Sequence, residues 1–278
     1  MTQAAAGGAA GGPGGGGVAA GAKGAVVRCV PALPSWVSLM TGDLDAAEEF
    51  YGRLLGWTFS QGPDRWGPYR RAMIDGVPVA GLGSSVDLQL PVAWTSYFGT
   101  EDADVIAERV RARGGTVAIG PLGFDAGRLA VVADPAGAPF GVWEGPMDTG
   151  PVLSAIPGAP VWIELRTTDA FAAALFYGEV FAWDNREAEH LEVRWEHDRV
   201  VLRTGRRSVA ALAQVTDPEE RPMWHVYFSV PDADRAAELA DRLGADVFGE
   251  VRDSPYGRVV QLRDPQGGRF SLIGPPDH

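Results

Sequence analysis

The sequence predicts an α+β chain built as two tandem copies of one domain, and three observations carry that prediction. Short motifs recur at a fixed distance: Trp36-Val37-Ser38-Leu39 returns as Trp162-Ile163-Glu164-Leu165, and Phe50-Tyr51-Gly52 as Phe176-Tyr177-Gly178, both displaced by 126 residues. Further on the displacement is 130, where Asp102-Ala103-Asp104 returns as Asp232-Ala233-Asp234 and Asp134-Pro135-x-Gly137 as Asp264-Pro265-x-Gly267, so four residues are inserted between about 184 and 208. Within each copy the apolar period alternates between two and 3.6, which reads as strand, helix and three strands, carried out twice.

The elements follow in order. Residues 1–30 form a leader, and ten Gly and eight Ala among the first 24 residues leave too little side chain to offset ordering entropy, so it is expected to be disordered. The first domain spans 31–146. It opens with an apolar strand from Trp36 to Met40, after which Asp43 is placed to cap a helix whose apolar face is Leu44, Ala47, Phe50, Tyr51 and Leu54, ended by Gly56. Strands at 57–60, 69–74 and 77–82 complete the first module. The second module has a strand at 93–99, a helix at 102–113 stopped by Gly114-Gly115, and strands at 116–120, 128–133 and 139–143 around the Asp134-Pro135 turn. A linker at 147–159 holds Gly150-Pro151 and Pro157-Gly158, and the second domain repeats the order over 160–274. Trp57 and Trp183, just past the first helix of each copy, are expected in the core, and the helices opening at Asp102 and Asp232 present solvated acidic faces with favourable charge at their starts.

Composition excludes several function classes. A net charge of -12 offers no field for nucleic acid or an anionic membrane surface. Cys29 is the only cysteine, so a disulfide framework, a thiolate zinc cage and an iron-sulfur cluster are excluded, and a reducing cytoplasm fits best. Neither a membrane span nor a secretory signal is expected, because no run of about 18 strongly apolar residues occurs and the start lacks a basic, Leu-rich pattern. The Gly-rich residues 11–17 neither follow a strand nor open a helix, which removes a dinucleotide fingerprint.

The paired βαβββ units, with Phe50-Tyr51 and Phe176-Tyr177 near the ends of their helices, Leu55-Gly56 after the first, and an Asp-Pro-x-Gly turn before each last strand, resemble the vicinal oxygen chelate superfamily. This is the fold of glyoxalases, bleomycin-resistance proteins and extradiol dioxygenases, and the form is similar to tandem glyoxalase-like proteins, some of them from aromatic polyketide pathways. The resemblance implies that each domain is a concave mixed sheet, and that enzymes of this kind hold a divalent metal on its inner strands. The corresponding positions here are Trp36, Gly81, Thr95 and Gly141 in the first copy and Trp162, Ala211, His225 and Ser271 in the second. One imidazole and one hydroxyl do not make a zinc, iron or nickel site, so no metal and no other cofactor is expected.

Strand alternation sends Trp36, Ser38 and Met40, and their counterparts Trp162, Glu164 and Arg166, into the two cups, with Thr95 and Tyr97 or His225 and Tyr227 beside them and Trp143 on the last strand. Trp36, Ser38, Met40, Tyr97, Trp143 and Trp162 are therefore candidate ligand contacts for a flat apolar molecule, with the glycines leaving it room. The leading expectation is a metal-free, cytoplasmic binding protein for an aromatic, polyketide-like small molecule. A second reading is a lyase, isomerase or hydroxylase-type enzyme in which His225 is general acid or base, Glu164 sets its tautomer, Arg166 holds an enolate or carboxylate and Tyr227 donates a hydrogen bond. A third is an interaction protein whose cups are filled by their own indoles, with Glu164 and Arg166 as a structural ion pair. Because the tandem supplies its own domain pairing, the expected partner set is an aromatic small molecule and the expected state a monomer.

Overall fold

The computed structural model describes residues 27–28, 31–62, 67–84, 91–124, 127–147, 153–183, 191–196, 199–205, 207–217 and 220–276. Two strands of two residues each, β1 (Val27–Arg28) and β10 (Pro146–Met147), pair antiparallel. β1 lies inside the segment expected to be a disordered leader, and the backbone of these two residues pairs where the first domain ends. The rest of the leader, Cys29 included, falls outside the described residues.

The first domain is two βαβββ modules. One contains β2 (Pro34–Thr41), α1 (Leu44–Leu55), β3 (Thr58–Gln61), β4 (Tyr69–Ile74) and β5 (Val77–Ser84); the other β6 (Ala93–Thr100), α2 (Ala103–Ala112), β7 (Thr116–Phe124), β8 (Gly127–Ala133) and β9 (Pro139–Glu144). The second domain repeats this as β11 (Pro160–Thr167), α3 (Ala170–Val180), β12 (Leu191–Glu196), β13 (Arg199–Thr204) and β14 (Arg207–Gln214), then β15 (Met223–Ser229), α4 (Ala233–Arg242), β16 (Asp246–Ser254), β17 (Gly257–Arg263) and β18 (Arg269–Gly274). Each domain forms one mixed sheet of eight strands, ordered β3-β4-β5-β2-β6-β9-β8-β7 and β12-β13-β14-β11-β15-β18-β17-β16. The first strands of the two modules meet antiparallel at the centre, and each pairs parallel with the last strand of its own module.

Asp43 caps α1 and Gly56 ends it as the sequence predicts. Asp43, Asp102, Asp169 and Asp232 each accept from a backbone N–H of the first turn, and Gly56 ends α1 at φ 74°, a left-handed conformation that costs other residues more.

The two domains share one aromatic core between their sheets. Phe228 of β15 packs its ring 5.5 Å from Trp57 and 5.0 Å from Trp94, and its counterpart Phe98 packs 5.1 Å from Phe181 and 5.0 Å from Trp224. Tyr51 donates to Asp264 of the other domain at 2.7 Å and accepts from Trp94 at 3.0 Å; Tyr177 donates to Asp134 at 3.1 Å and accepts from Trp224 at 2.9 Å. The Phe-Tyr motif of each domain thus reaches the Asp-Pro-x-Gly turn of its partner, which gives both motifs a structural purpose. Trp57 and Trp183 are buried as expected, and Trp57 donates to the Gly158 carbonyl at 2.9 Å. Gly158 is required there, since a Cβ would lie 2.3 Å from the Leu55 carbonyl oxygen. Among the described residues no helix is long and apolar enough to cross a membrane.

Candidate ligand-binding site

On each central strand the residues facing the helices, Val37 and Leu39 or Ile163 and Leu165, are fully buried, which leaves the alternate residues for the opposite, concave face. The register then lays the two cups out identically. In cup 1, Gly81, Ser38 and Thr95 are neighbours in one row and Trp36, Tyr97 and Gly141 in the next; in cup 2 the rows are Ala211, Glu164 and His225, then Trp162, Tyr227 and Ser271.

Cup 1 is filled from within. The Tyr69 ring from β4 lies so close over Gly81 that a Cβ there would meet its hydroxyl at 1.7 Å, and the Tyr97 ring lies over Gly141, where a Cβ would stand 2.0 Å from the ring. The glycines make room, but for tyrosines of this chain rather than for a ligand, which corrects the sequence expectation. Trp36 donates its indole N–H to the Tyr69 hydroxyl at 2.9 Å, and Ser38 donates to the Tyr97 hydroxyl at 3.2 Å. Burial raises the pKa of both tyrosines, so they stay neutral. Met40 closes over Gly83, where a Cβ would lie 2.8 Å from its sulfur. Trp143 is 8% exposed and donates its indole N–H to the Pro146 carbonyl at 3.3 Å, so little of the ring is left accessible to a ligand.

Cup 2 is charged instead. Glu164, 5% exposed, accepts from the Tyr227 hydroxyl at 3.1 Å and from Arg199 at 2.9 Å, with an Arg166 nitrogen at 4.0 Å. The Arg166 guanidinium is forked on Glu220, a hydrogen bond that raises its pKa further. Burial pushes the Tyr227 phenol up, and the nearby Glu164 carboxylate adds to this. Over this floor Trp162 is half-buried and stacks on Tyr256 from the β16–β17 turn, at 5.7 Å between centroids and 24° between planes, while Arg199 sits 5.8 Å from the Tyr256 ring centre.

His225 is 4% exposed, and its Nε2 lies 2.9 Å from the Ser271 hydroxyl. Burial pushes its pKa down to about 3, with the Arg166 charge acting in the same direction. The Phe270 carbonyl lies near enough to oppose this slightly, yet among the described residues no group meets hydrogen-bond geometry at Nδ1. The expected role of Glu164 in setting the His225 tautomer is not what the side chains do: Glu164 is turned to Tyr227 and Arg199, and His225 to Ser271. Arg166 is likewise held by Glu220 rather than poised for an enolate or carboxylate.

A divalent metal does not fit either cup. Cup 1 has indole, glycine and hydroxyl groups at the relevant positions. In cup 2 Glu164 and His225 are neighbours in the register, but the carboxylate already faces two guanidiniums, whose charge opposes a cation, and the imidazole is bonded to Ser271. Among the described residues no group of three or more His, Cys, Asp or Glu could hold a metal ion.

Tyr69, Arg199, Glu220 and Tyr256 are the site residues that sequence reasoning missed. The repeat held a signal for two of them, since Tyr69 and Arg199 are 130 apart and occupy the same place in their sheets. Tyr256 sits in a turn and Glu220 in a loop, where no periodicity marks them.

Known proteins place the architecture. Residues 34–142 match the family model of the glyoxalase/bleomycin resistance protein/dioxygenase superfamily, and residues 162–273 match that of the glyoxalase-like domain. The chain is 35% identical over 268 residues to the anthracycline biosynthesis protein DauV of Streptomyces sp. (strain C5), covering 89% of this chain and 95% of that one. It is 33% identical over 249 residues to the putative glyoxylase CFP32 of Mycobacterium tuberculosis (strain CDC 1551 / Oshkosh), covering 87% and 94%. In fold it is similar to the 2,3-dioxygenase LapB from Pseudomonas sp. KL28, with a TM-score of 0.59 at 13% identity over 91% of this chain and 95% of that one. With both halves matched and relatives aligned along nearly their whole length, the chain belongs to the glyoxalase/bleomycin resistance protein/dioxygenase superfamily, also called the vicinal oxygen chelate superfamily, as a tandem of two of its domains.

Proposed function

We propose that the protein is a metal-free binding protein for an aromatic, polyketide-like small molecule, acting in self-resistance or as an accessory to a biosynthetic step, in the cytoplasm and as a monomer. The observation that carries this reading is cup 2, where an accessible indole and tyrosine stack stands over a polar floor whose donors and acceptors fit no metal. A relative named for anthracycline biosynthesis supports the ligand class, because an anthracycline carries a flat fused-ring chromophore of the shape an indole stacks on. The acid/base alternative is weaker on chemical grounds: an imidazole with its pKa pushed down to about 3 is a poor proton acceptor at neutral pH, and one that is 4% exposed meets substrate only if the cup opens.

The test is a titration of 1,4-dihydroxyanthraquinone into the full chain, followed by the visible absorbance of the dye, with and without chelator. Saturable micromolar binding that is indifferent to chelator is expected, with no turnover of the dye. A tightly held metal whose removal abolishes binding or a measured activity overturns the proposal.

A further inference from the structure

Resting on the binding reading above, we propose that cup 2 alone takes the ligand, that the ligand is a planar, electron-rich aromatic such as a hydroxylated fused ring, and that the Tyr256 side chain is a displaceable lid holding its place. Cup 1 has no space to give without rebuilding its floor, because Tyr69 and Tyr97 lie directly on the glycine backbone and are tied to Trp36 and Ser38. In cup 2 the corresponding volume cannot be filled the same way. Ala211 carries the Cβ that Gly81 lacks, and Arg199 stands where Tyr69 does but reaches across to Glu164. The ring that covers Trp162 comes from outside the central strands, and it is 45% exposed.

Tyr256 is built to move as a side chain while its turn stays fixed. The Ser254 hydroxyl accepts from the Tyr256 backbone N–H at 3.2 Å and donates to the Gly257 carbonyl at 2.6 Å, so the turn can keep its backbone while the side chain changes rotamer. Gly257 adopts φ 138°, and a Cβ there would lie 2.3 Å from the Gly274 carbonyl oxygen, which fixes the turn against the neighbouring strand. An incoming ring of the same shape regains the stack on Trp162 and the Arg199 contact that the departing ring gives up.

The ligand class follows from what the departing ring leaves. A ring taking its place meets an indole and the guanidinium of Arg199, held by its bond to Glu164 at 2.9 Å. A cation near a ring face favours electron-rich rings, so phenolic rings are preferred to electron-poor ones of the same shape.

Isothermal titration with 2-naphthol and 2-nitronaphthalene tests this on the full chain and on three variants, Trp36→Ala, Trp162→Ala and Tyr256→Ala, with circular dichroism to verify folding. One equivalent of 2-naphthol per chain is expected, with 2-nitronaphthalene at least about fivefold weaker. Trp162→Ala should weaken 2-naphthol by about tenfold or more, Trp36→Ala should leave it within about twofold, and Tyr256→Ala should tighten it by roughly three- to tenfold. The Tyr256→Ala result stands even if a cup variant fails to fold, since that residue sits in an exposed turn. Two equivalents per chain, equal losses from Trp36→Ala and Trp162→Ala, loss rather than gain in Tyr256→Ala, or no preference between the probes each overturn the inference while leaving the binding reading intact. Absence of binding by the wild type to either probe and to the dihydroxyanthraquinone removes both.

Discussion

Cup 1 and cup 2 stand on equivalent strands in equivalent register, and they close in opposite ways. Where cup 1 has Ser38, Tyr69, Gly81, Thr95 and Gly141, cup 2 has Glu164, Arg199, Ala211, His225 and Ser271. Neither carries the donor set that a metal needs. In cup 1 glycine stands at two of these positions, and aromatic rings lie on the bare backbone, so the concave face is a second small core bound by neutral hydrogen bonds. In cup 2 charges are buried and paired: Glu164 with Arg199 and Tyr227, Arg166 with Glu220. A face closed by packing has no further need of a partner. One closed by an ion network with an exposed ring over it retains a polar floor and a place to stack.

If packing closes cup 1, adding one carbon under its rings should do the greatest damage. Gly141→Ala puts a Cβ 2.0 Å from the Tyr97 ring, and the ring can escape only by leaving Ser38. A loss of about 3 kcal/mol in urea denaturation is expected, at the upper end of ordinary overpacking. Adding Tyr97→Ala should recover part of it, with a coupling of more than about 1 kcal/mol because the two residues touch. The matched change in cup 2, Ser271→Ala, removes a hydroxyl and adds no bulk; it should cost about 1 to 2 kcal/mol through the partner lost at His225. Equal costs in the two cups would show that cup 1 is not held by its filling.

Removing one hydroxyl from each cup sharpens the contrast between neutral and charged closure. Tyr227→Phe takes a donor from a nearly buried carboxylate and should cost about 2 kcal/mol, the range for hydrogen bonds to charged groups. Tyr97→Phe takes away only the acceptor of the Ser38 hydroxyl and should cost about 1 kcal/mol. Chemical denaturation of both variants at neutral pH measures the difference, and a larger loss from Tyr97→Phe reverses the assignment. Truncating Arg199 to Ala removes a partner of Glu164 while leaving Arg166 at 4.0 Å, and should cost roughly 1 to 3 kcal/mol, less than a fully buried pair because Arg199 is partly exposed. Glu164→Gln in the same chain should restore some of that loss.

Much of this architecture was legible because it is periodic twice, once in the strands and helices and once in the whole domain. The strand at 69–74 is marked by the Gly and Pro residues that bound it, and the helix cap at Asp43 by its chemistry. Strand β7 runs to Phe124, past the expected end at 120, because Gly120-Pro121 reads as a stop while the pair bulges around it between Ile119 and Leu122. The contacts that decide how each cup closes were hidden for a different reason. Tyr69 lies in a strand whose neighbours Arg70 and Arg71 are also polar, so alternation gives no contrast there, and Tyr256 reaches Trp162 from a turn nearly a hundred residues away in sequence. Likewise Tyr51 and Asp264 are each visible as landmarks, but that one bonds the other depends on the two domains meeting face to face.

One exchange between the cups, Thr95 against His225, is isolated by pH. In the folded chain the His225 pKa is pushed down to about 3, whereas the unfolded chain protonates this imidazole near its ordinary value of about 6.5. Below that value the unfolded state binds a proton that the folded state refuses, so stability falls as pH falls, and the fall continues until the folded pKa is reached. Above about pH 7.5 neither state is protonated and the residue contributes no pH dependence. Replacing His225 with the residue that cup 1 carries, in His225→Thr, removes this linkage while the other three histidines stay common to both proteins. The stability of the wild type relative to His225→Thr should therefore drop by about 1.3 kcal/mol between pH 7.5 and 5.5, read from urea denaturation at the two pH values. A difference that stays constant across that range would mean that His225 accepts a proton readily in the folded state, and it would reopen the acid/base role that its burial argues against.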